Sequence, residues 1–155
     1  MGKEVLKYQK MINTIIKAIG ISIKTEFDEE NYEIYTEETE QVQKCACFFI
    51  ACLSQKQKLF LGKRYFSQKQ FKIQYFPATE NVQQECNAIA QRLNDCLEYI
   101  TITDESKPLR GTHMGYEIIE NVLNFYVNYD YFIYKEELKE TMGVLEASIN
   151  LKEES

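Results

Sequence analysis

Apolar residues recur at helical spacing at the start of the chain: Leu6, Met11, Ile12, Ile15, Ile16, Ile19 and Ile23, with Lys17 and Lys24 between them. This pattern predicts an amphipathic helix over about Glu4–Thr25, with Gly20 as its weak point. A polar turn, Asp28–Asn31, leads into a short strand, Tyr32–Thr36, and then an acidic, solvated stretch, Glu37–Gln43. From Lys44 to Pro77 the period changes. Cys45–Leu53 is apolar on both faces, as a central strand should be. Phe71, Ile73 and Tyr75 alternate with Lys72, Gln74 and Phe76, which suits a partner strand with one wetter face. Helical spacing returns in Thr79–Ile100. There Val82, Cys86, Ile89, Ala90, Leu93, Cys96, Leu97 and Ile100 form one stripe, opposite Gln83, Gln84, Asn87, Gln91 and Asn94. Thr79 is placed to cap this helix, and Glu80 suits the positive end of its dipole. Asp104–Gly111, with Pro108, reads as a loop. Ile118–Tyr134 reads as a long strand in which Leu123, Phe125, Val127, Tyr129, Tyr131 and Ile133 share the buried parity. Glu136–Leu145 reads as a short helix and Lys152–Ser155 as a frayed end. The order α-β-β-β-α-β-β, with segregated helices, predicts an α+β fold.

The connection between the two strands of Lys44–Pro77 is unusual. Lys56, Lys58, Lys63 and Arg64 surround Leu59, Phe60, Leu61, Tyr65 and Phe66. Lysines on an ordinary hairpin aid solubility, but this many large apolar side chains are not solvated cheaply. They call for a core or a neighbouring subunit, so the connection is a candidate contact surface.

Composition narrows the function. At 155 residues, 45% hydrophobic and 27% charged, the chain suits one globular domain, 1–155, with its core over about 11–135. A net charge of −6 argues against nucleic-acid binding by bulk electrostatics. Eleven tyrosines and nine phenylalanines without tryptophan suit half-exposed sheets and protein interfaces. No apolar run reaches the roughly 20 residues of a membrane span, and MGKEVLKYQK lacks a signal-peptide core. Leu6 stands where a myristoylation motif wants Ser or Thr. Five cysteines, several in apolar runs, suit buried free thiols in a reducing cytoplasm.

Chemistry is sparse. Cys45, Cys47 and Cys52 lack the paired spacing of a zinc site, and His113 is the only histidine. His113 lies in Gly111–Gly115, read as a flexible surface segment without a nucleophile signature. Gly62-Lys63-Arg64 lacks the upstream glycine and the Ser or Thr of a P-loop. The acidic pairs Glu29/Glu30, Glu37/Glu38 and Glu136/Glu137 read as solvated faces. No catalytic residue, cofactor or metal is expected.

Several short strings nevertheless occur in a telling order: Met11-Ile12-Asn13, Tyr35-Thr36-Glu37-Glu38, Cys47-Phe48-Phe49-Ile50, Leu61-Gly62-Lys63-Arg64-Tyr65-Phe66 and Gln74-Tyr75-Phe76-Pro77. Cys86-Asn87, Cys96-Leu97-Glu98-Tyr99-Ile100, Arg110-Gly111 and Leu123–Tyr129 follow. In these the chain resembles the tail terminator family of phages and PBSX-like prophages of Gram-positive bacteria, over roughly Met11–Lys135. The resemblance implies a small mixed, mainly antiparallel sheet flanked by two main helices, similar to tail tube proteins. It also implies a structural role: capping the tail tube, ending its polymerisation and forming the surface onto which head-completion proteins dock. Partners would be further copies in a six-fold ring, the tail tube protein and a head-side connector. DNA would only pass through the lumen, and no membrane is involved. Assembly would occur in the host cytoplasm, leaving the protein in the tail or neck of the virion.

A ring of identical subunits joins two different patches. Lys56, Lys58, Phe60, Lys63, Arg64, Tyr65 and Phe66 are candidates for one, with Arg110; the acidic stretch containing Glu37 and Glu38 is the candidate for the other. The alternatives are a head–tail connector or stopper, a small immunity-type binding protein, and, weakest, an enzyme.

Overall fold

The structure, a computed structural model, describes residues 2–28, 32–36, 46–102 and 107–134. Its elements are α1 (Gly2–Glu26), β1 (Glu33–Thr36), β2 (Cys47–Leu61), β3 (Arg64–Phe76), α2 (Val82–Cys96), β4 (Tyr99–Ile102), β5 (Lys107–Ile119) and β6 (Val122–Tyr134). The six strands form one sheet in the order β1-β2-β3-β6-β5-β4. β1 runs parallel to β2, whereas β5 is antiparallel to both β4 and β6. This is the expected α+β class: two helices with a mixed sheet.

By contact the chain divides into two compact units, residues 1–56 with 68–131, and residues 57–67 with 132–155. The first holds the main core. Along β3, Phe71, Ile73 and Tyr75 are buried, and along β6, Leu123, Phe125, Val127 and Tyr129. The alternation read from the sequence therefore holds in both strands. Ile15, Ile19 and Ile23 of α1 and Cys86, Ile89, Ala90 and Leu93 of α2 join the same cluster. Fully burying an aliphatic or aromatic side chain contributes about 1.5–3 kcal/mol, so this cluster holds the unit together. Around it, Phe27, Tyr32, Phe48 and Tyr75 pack edge-on or tilted, with ring centroids 5.0–5.7 Å apart. Arg92 ties the helices together: its Nε lies 3.1 Å from Glu26 Oε2 and its guanidinium 4.1 Å from the Phe27 ring centre.

The second helix departs from its predicted bounds at both ends. Asn81, not Thr79, occupies the cap position, and its side chain makes no capping bond. Thr79 instead donates through its backbone N–H and hydroxyl to Glu85, which also accepts from the Ala78 N–H and the Tyr75 hydroxyl. Glu85 thus closes the β3–α2 connection from inside the first turn. The helix stops at Cys96, and Ile100, predicted as its last apolar position, is buried from β4. The apolar stripe runs on unbroken because Leu97 and Ile100 serve the same core from outside the helix; the β-branched Ile100, Thr101 and Ile102 favour the strand.

Two predicted loops are also strand. Residues 107–111 of the expected Asp104–Gly111 loop open β5, with Pro108 opposite Thr101 of β4. His113, expected in a flexible segment, sits in a bulge of β5: Thr112 pairs with Asn128 but Gly115 pairs with Tyr126, so β5 carries one extra residue. His113 takes φ 51° there. The long Ile118–Tyr134 strand is a hairpin, turned by Glu120 and Asn121, both at positive φ. This is the handedness that two-residue hairpin turns require, and Glu120 hides it from sequence reading. Glu29, Glu30, Cys45, the expected Glu136–Leu145 helix and the Lys152–Ser155 end lie outside the described residues.

Gly111 marks where α2, β5 and β6 converge. Its N–H bonds the Glu98 carbonyl at 2.7 Å, and the buried Tyr129 hydroxyl bonds the Leu97 carbonyl at 2.6 Å. A β-carbon on Gly111 would stand 2.7 Å from that same Leu97 oxygen and 2.8 Å from a Val127 methyl. Gly111→Ala should therefore cost about 1–3 kcal/mol through overpacking, and Leu93→Ala about 2–5 kcal/mol through a cavity. Denaturant melts of both variants check this; an unchanged midpoint for Leu93→Ala would contradict the core assignment.

Burial raises the Glu85 pKa, but the bonds from Thr79, Tyr75 and the Ala78 and Thr79 backbone outweigh it, leaving the carboxyl below its ordinary range. A carboxyl depressed in the folded state stabilises at pH values above its unfolded pKa, and that contribution fades as pH falls through the folded value. Glu85→Gln should lower the melting temperature at neutral pH, and the deficit should shrink on acidification. A deficit independent of pH would refute the ionic contribution.

Candidate assembly surface

β2 and β3 run on into the second unit as a hairpin turned at Gly62 and Lys63. Gly62 has φ 58°, the sign a two-residue turn asks of its first residue when that residue is glycine. The basic connection is thus regular hairpin rather than loop, because β2 extends to Leu61 instead of ending at Leu53. Phe60 is 56% exposed and Leu61 67%, with Leu59 similar. Lys58, Lys63 and Arg64 are exposed, and Tyr65 and Phe66 half-buried.

Phe132 of β6, absent from the predicted set, organises this unit. Its ring centre lies 5.0 Å from that of Phe60 and 5.2 Å from that of Phe66. The Arg64 guanidinium sits 4.8 Å over Phe132 and 5.8 Å from the Phe60 ring centre. An exposed cation–π contact of this kind contributes about 0.5–1 kcal/mol, enough to orient the guanidinium. Tyr134 follows at 73% exposure. A sequence signal did exist: the polar parity Asn124, Tyr126, Asn128, Asp130 turns apolar at Phe132 and Tyr134. The described residues of this unit include Lys58, Lys63 and Arg64 and no acidic side chain.

The other expected site residues are placed separately. Lys56 is exposed on β2 in the first unit. Arg110 is exposed on β5, opposite Tyr99 of the edge strand β4. Glu37 and Glu38 lie outside the described residues. The structure thus brings together Phe60, Arg64 and Phe66 through Phe132.

Among the described residues, no group of His, Cys, Asp and Glu is arranged to hold a metal ion. A cleft of about 340 Å³ between α1, the end of α2 and β4 is lined by Ile21, Ser22, Thr25, Glu26, Cys96 and Thr101. Its two reactive groups are spoken for, since Glu26 pairs with Arg92 and burial pushes the Cys96 thiol up to about 12. Lys69 is 1% exposed; it donates to the Tyr131 hydroxyl at 2.6 Å, and burial lowers its pKa to about 8, opposed by the nearby Cys52. No described helix is long and apolar enough to cross a membrane.

The described residues thus form an α+β protein with an exposed basic, aromatic hairpin. The chain belongs to the phage tail terminator protein family, whose pattern it matches over residues 14–141. It is therefore a structural component of a phage tail, and its family's work implies contacts with other tail and head proteins. No curated protein matches it.

With Lys63 and Arg64 exposed at the turn, Lys63→Glu/Arg64→Glu should fold normally, its far-UV spectrum unchanged and its melting temperature nearly so. Loss of the cooperative melt would show that these side chains serve the fold rather than a contact.

Proposed function

We propose that this protein caps the tail tube, ends tube polymerisation and forms the surface onto which the head docks, as a hexameric ring on the tube end. The family match carries this reading. The exposed Leu59, Phe60 and Leu61 support it, because apolar side chains gathered in one patch are left in water at a cost unless an assembly covers them. In the ring, the hairpin containing Lys58, Phe60, Lys63, Arg64, Tyr65 and Phe66, with Lys56 beside it in sequence, meets the acidic Glu37–Glu40 stretch of the next subunit. Such head-to-tail contacts close a ring when the rotation closes. Arg110 serves a second contact. The net charge of −6 suits a channel through which DNA slides, since like charge repels phosphate. Assembly takes place in the host cytoplasm, and the protein ends in the tail or neck.

The test is deletion of the gene from an inducible prophage that carries it, followed by electron microscopy of the particles. Overlong or irregular tails beside unattached DNA-filled heads are expected. Normal-length tails lacking heads would favour a connector or stopper, and intact particles would retire the structural reading. Complementation with Lys63→Glu/Arg64→Glu should reproduce the deletion; normal particles would refute the role given to the hairpin.

A further inference from the structure

β4 is an outermost strand of the sheet, paired with β5 on one side and with no strand on the other among the described residues. Its register shows which backbone groups lie on that open edge. Residues opposite one another in an antiparallel pair alternate between exchanging hydrogen bonds and exchanging none. The Gly111 N–H bonds the Glu98 carbonyl at 2.7 Å, so Glu98 and Gly111 occupy a bonding position. The register continues through Tyr99–Arg110, Ile100–Leu109, Thr101–Pro108 and Ile102–Lys107. Tyr99 and Thr101 therefore turn their N–H and C=O groups away from β5. Pro108, which has no N–H to give, stands opposite Thr101 as this alternation requires.

The open edge adjoins the cleft between α1, the end of α2 and β4, to which Thr101 contributes. Ile21, 45% exposed, lines it with Ser22 and Thr25. Glu26 is held by Arg92, and burial keeps the Cys96 thiol protonated, so the cleft suits an apolar side chain. On the outward side of β4, Tyr99 is 58% exposed and the exposed Arg110 stands opposite it, which favours an acidic side chain there.

We propose that β4 accepts an extended segment of a partner protein as an added strand, bonded to the Tyr99 and Thr101 backbone. An apolar side chain of that segment enters the α1 cleft, and an acidic neighbour lies beside Arg110. Strand addition of this kind takes its affinity from main-chain bonds and its specificity from alternate side chains. A second copy is the poorer occupant through β1, the other outermost strand, because Ile34 already packs against its own core. The inference goes beyond the tail role and does not rest on it.

The probe is a library of random short peptides, selected on the full chain and counter-selected on Thr101→Pro. That substitution removes one outward N–H and no bond to β5, and an edge strand tolerates proline, so its near-UV spectrum should match the parent's. Thr25→Trp, which fills the cleft from an exposed helix position, serves the same purpose should Thr101→Pro fail to fold. Selected peptides should alternate apolar and acidic residues and lose binding to either variant. Amide hydrogen exchange by NMR then locates them. In the free chain, Ile100 and Ile102 should exchange slowly and Tyr99 and Thr101 quickly. A synthetic selected peptide should slow exchange at Tyr99 and Thr101 several-fold, and N-methylation of its β4-facing amides should abolish the effect. Failure to select any peptide that the variants lose, or protection elsewhere than Tyr99 and Thr101, would overturn the proposal. Exchange at these two amides that slows as protein concentration rises would also overturn it, since a second copy would then hold the edge. None of these readouts involves tail length, so this proposal and the capping role can fail separately.

Discussion

One dry sheet face governs the arrangement of the first unit. Phe71, Ile73 and Tyr75 on β3 and Leu123, Phe125, Val127 and Tyr129 on β6 all point their side chains away from water. A face of this size is stable only when covered. The apolar stripes of α1 and α2 meet that need and, with the face, form one cluster. The opposite parity is polar and carries its own bonds, such as Gln74 Nε2 donating to Asn124 at 3.1 Å. A slip of one residue in either strand would exchange the two faces, so the burial pattern also fixes the register.

The details that sharpen this frame are backbone details. Gly111 is small because Leu97 and Val127 leave no room for a β-carbon. The Tyr129 hydroxyl, buried deeply enough to hold its proton well above the usual phenol range, finds the Leu97 carbonyl rather than remaining unpaired. Lys69 is the charged member, a nearly enclosed amine of the same parity on β3 that donates to the Tyr131 hydroxyl.

The helices and central strands were legible because burial on one face imposes a period, and period is what side-chain type records. Ends and turns were less so. The β5–β6 turn uses Glu120 and Asn121 where glycine would have announced it, and the bulge at His113 adds a residue without changing composition. Helix α2 seemed to reach Ile100 because β4 feeds the same core at a compatible spacing. The basic, aromatic character of Lys56–Phe66 was visible in the sequence, but Phe132, about 70 residues away, belongs to the same cluster only through pairing between distant strands. The family was legible through the order of many short strings, none of which encodes a mechanism.

The strand order has a kinetic consequence. Read across the sheet, β1-β2-β3 and β6-β5-β4 are each runs of consecutive strands, and a single seam, β3 against β6, joins them. Across that seam the contacts span 50 residues between Gln74 and Asn124 and 62 between Lys69 and Tyr131. Closing such loops costs chain entropy before any contact rewards it. The two runs can gather from neighbours along the chain, whereas the seam must wait for both. The largest loop-closure cost in assembling the described sheet therefore falls at its middle, where β3 meets β6.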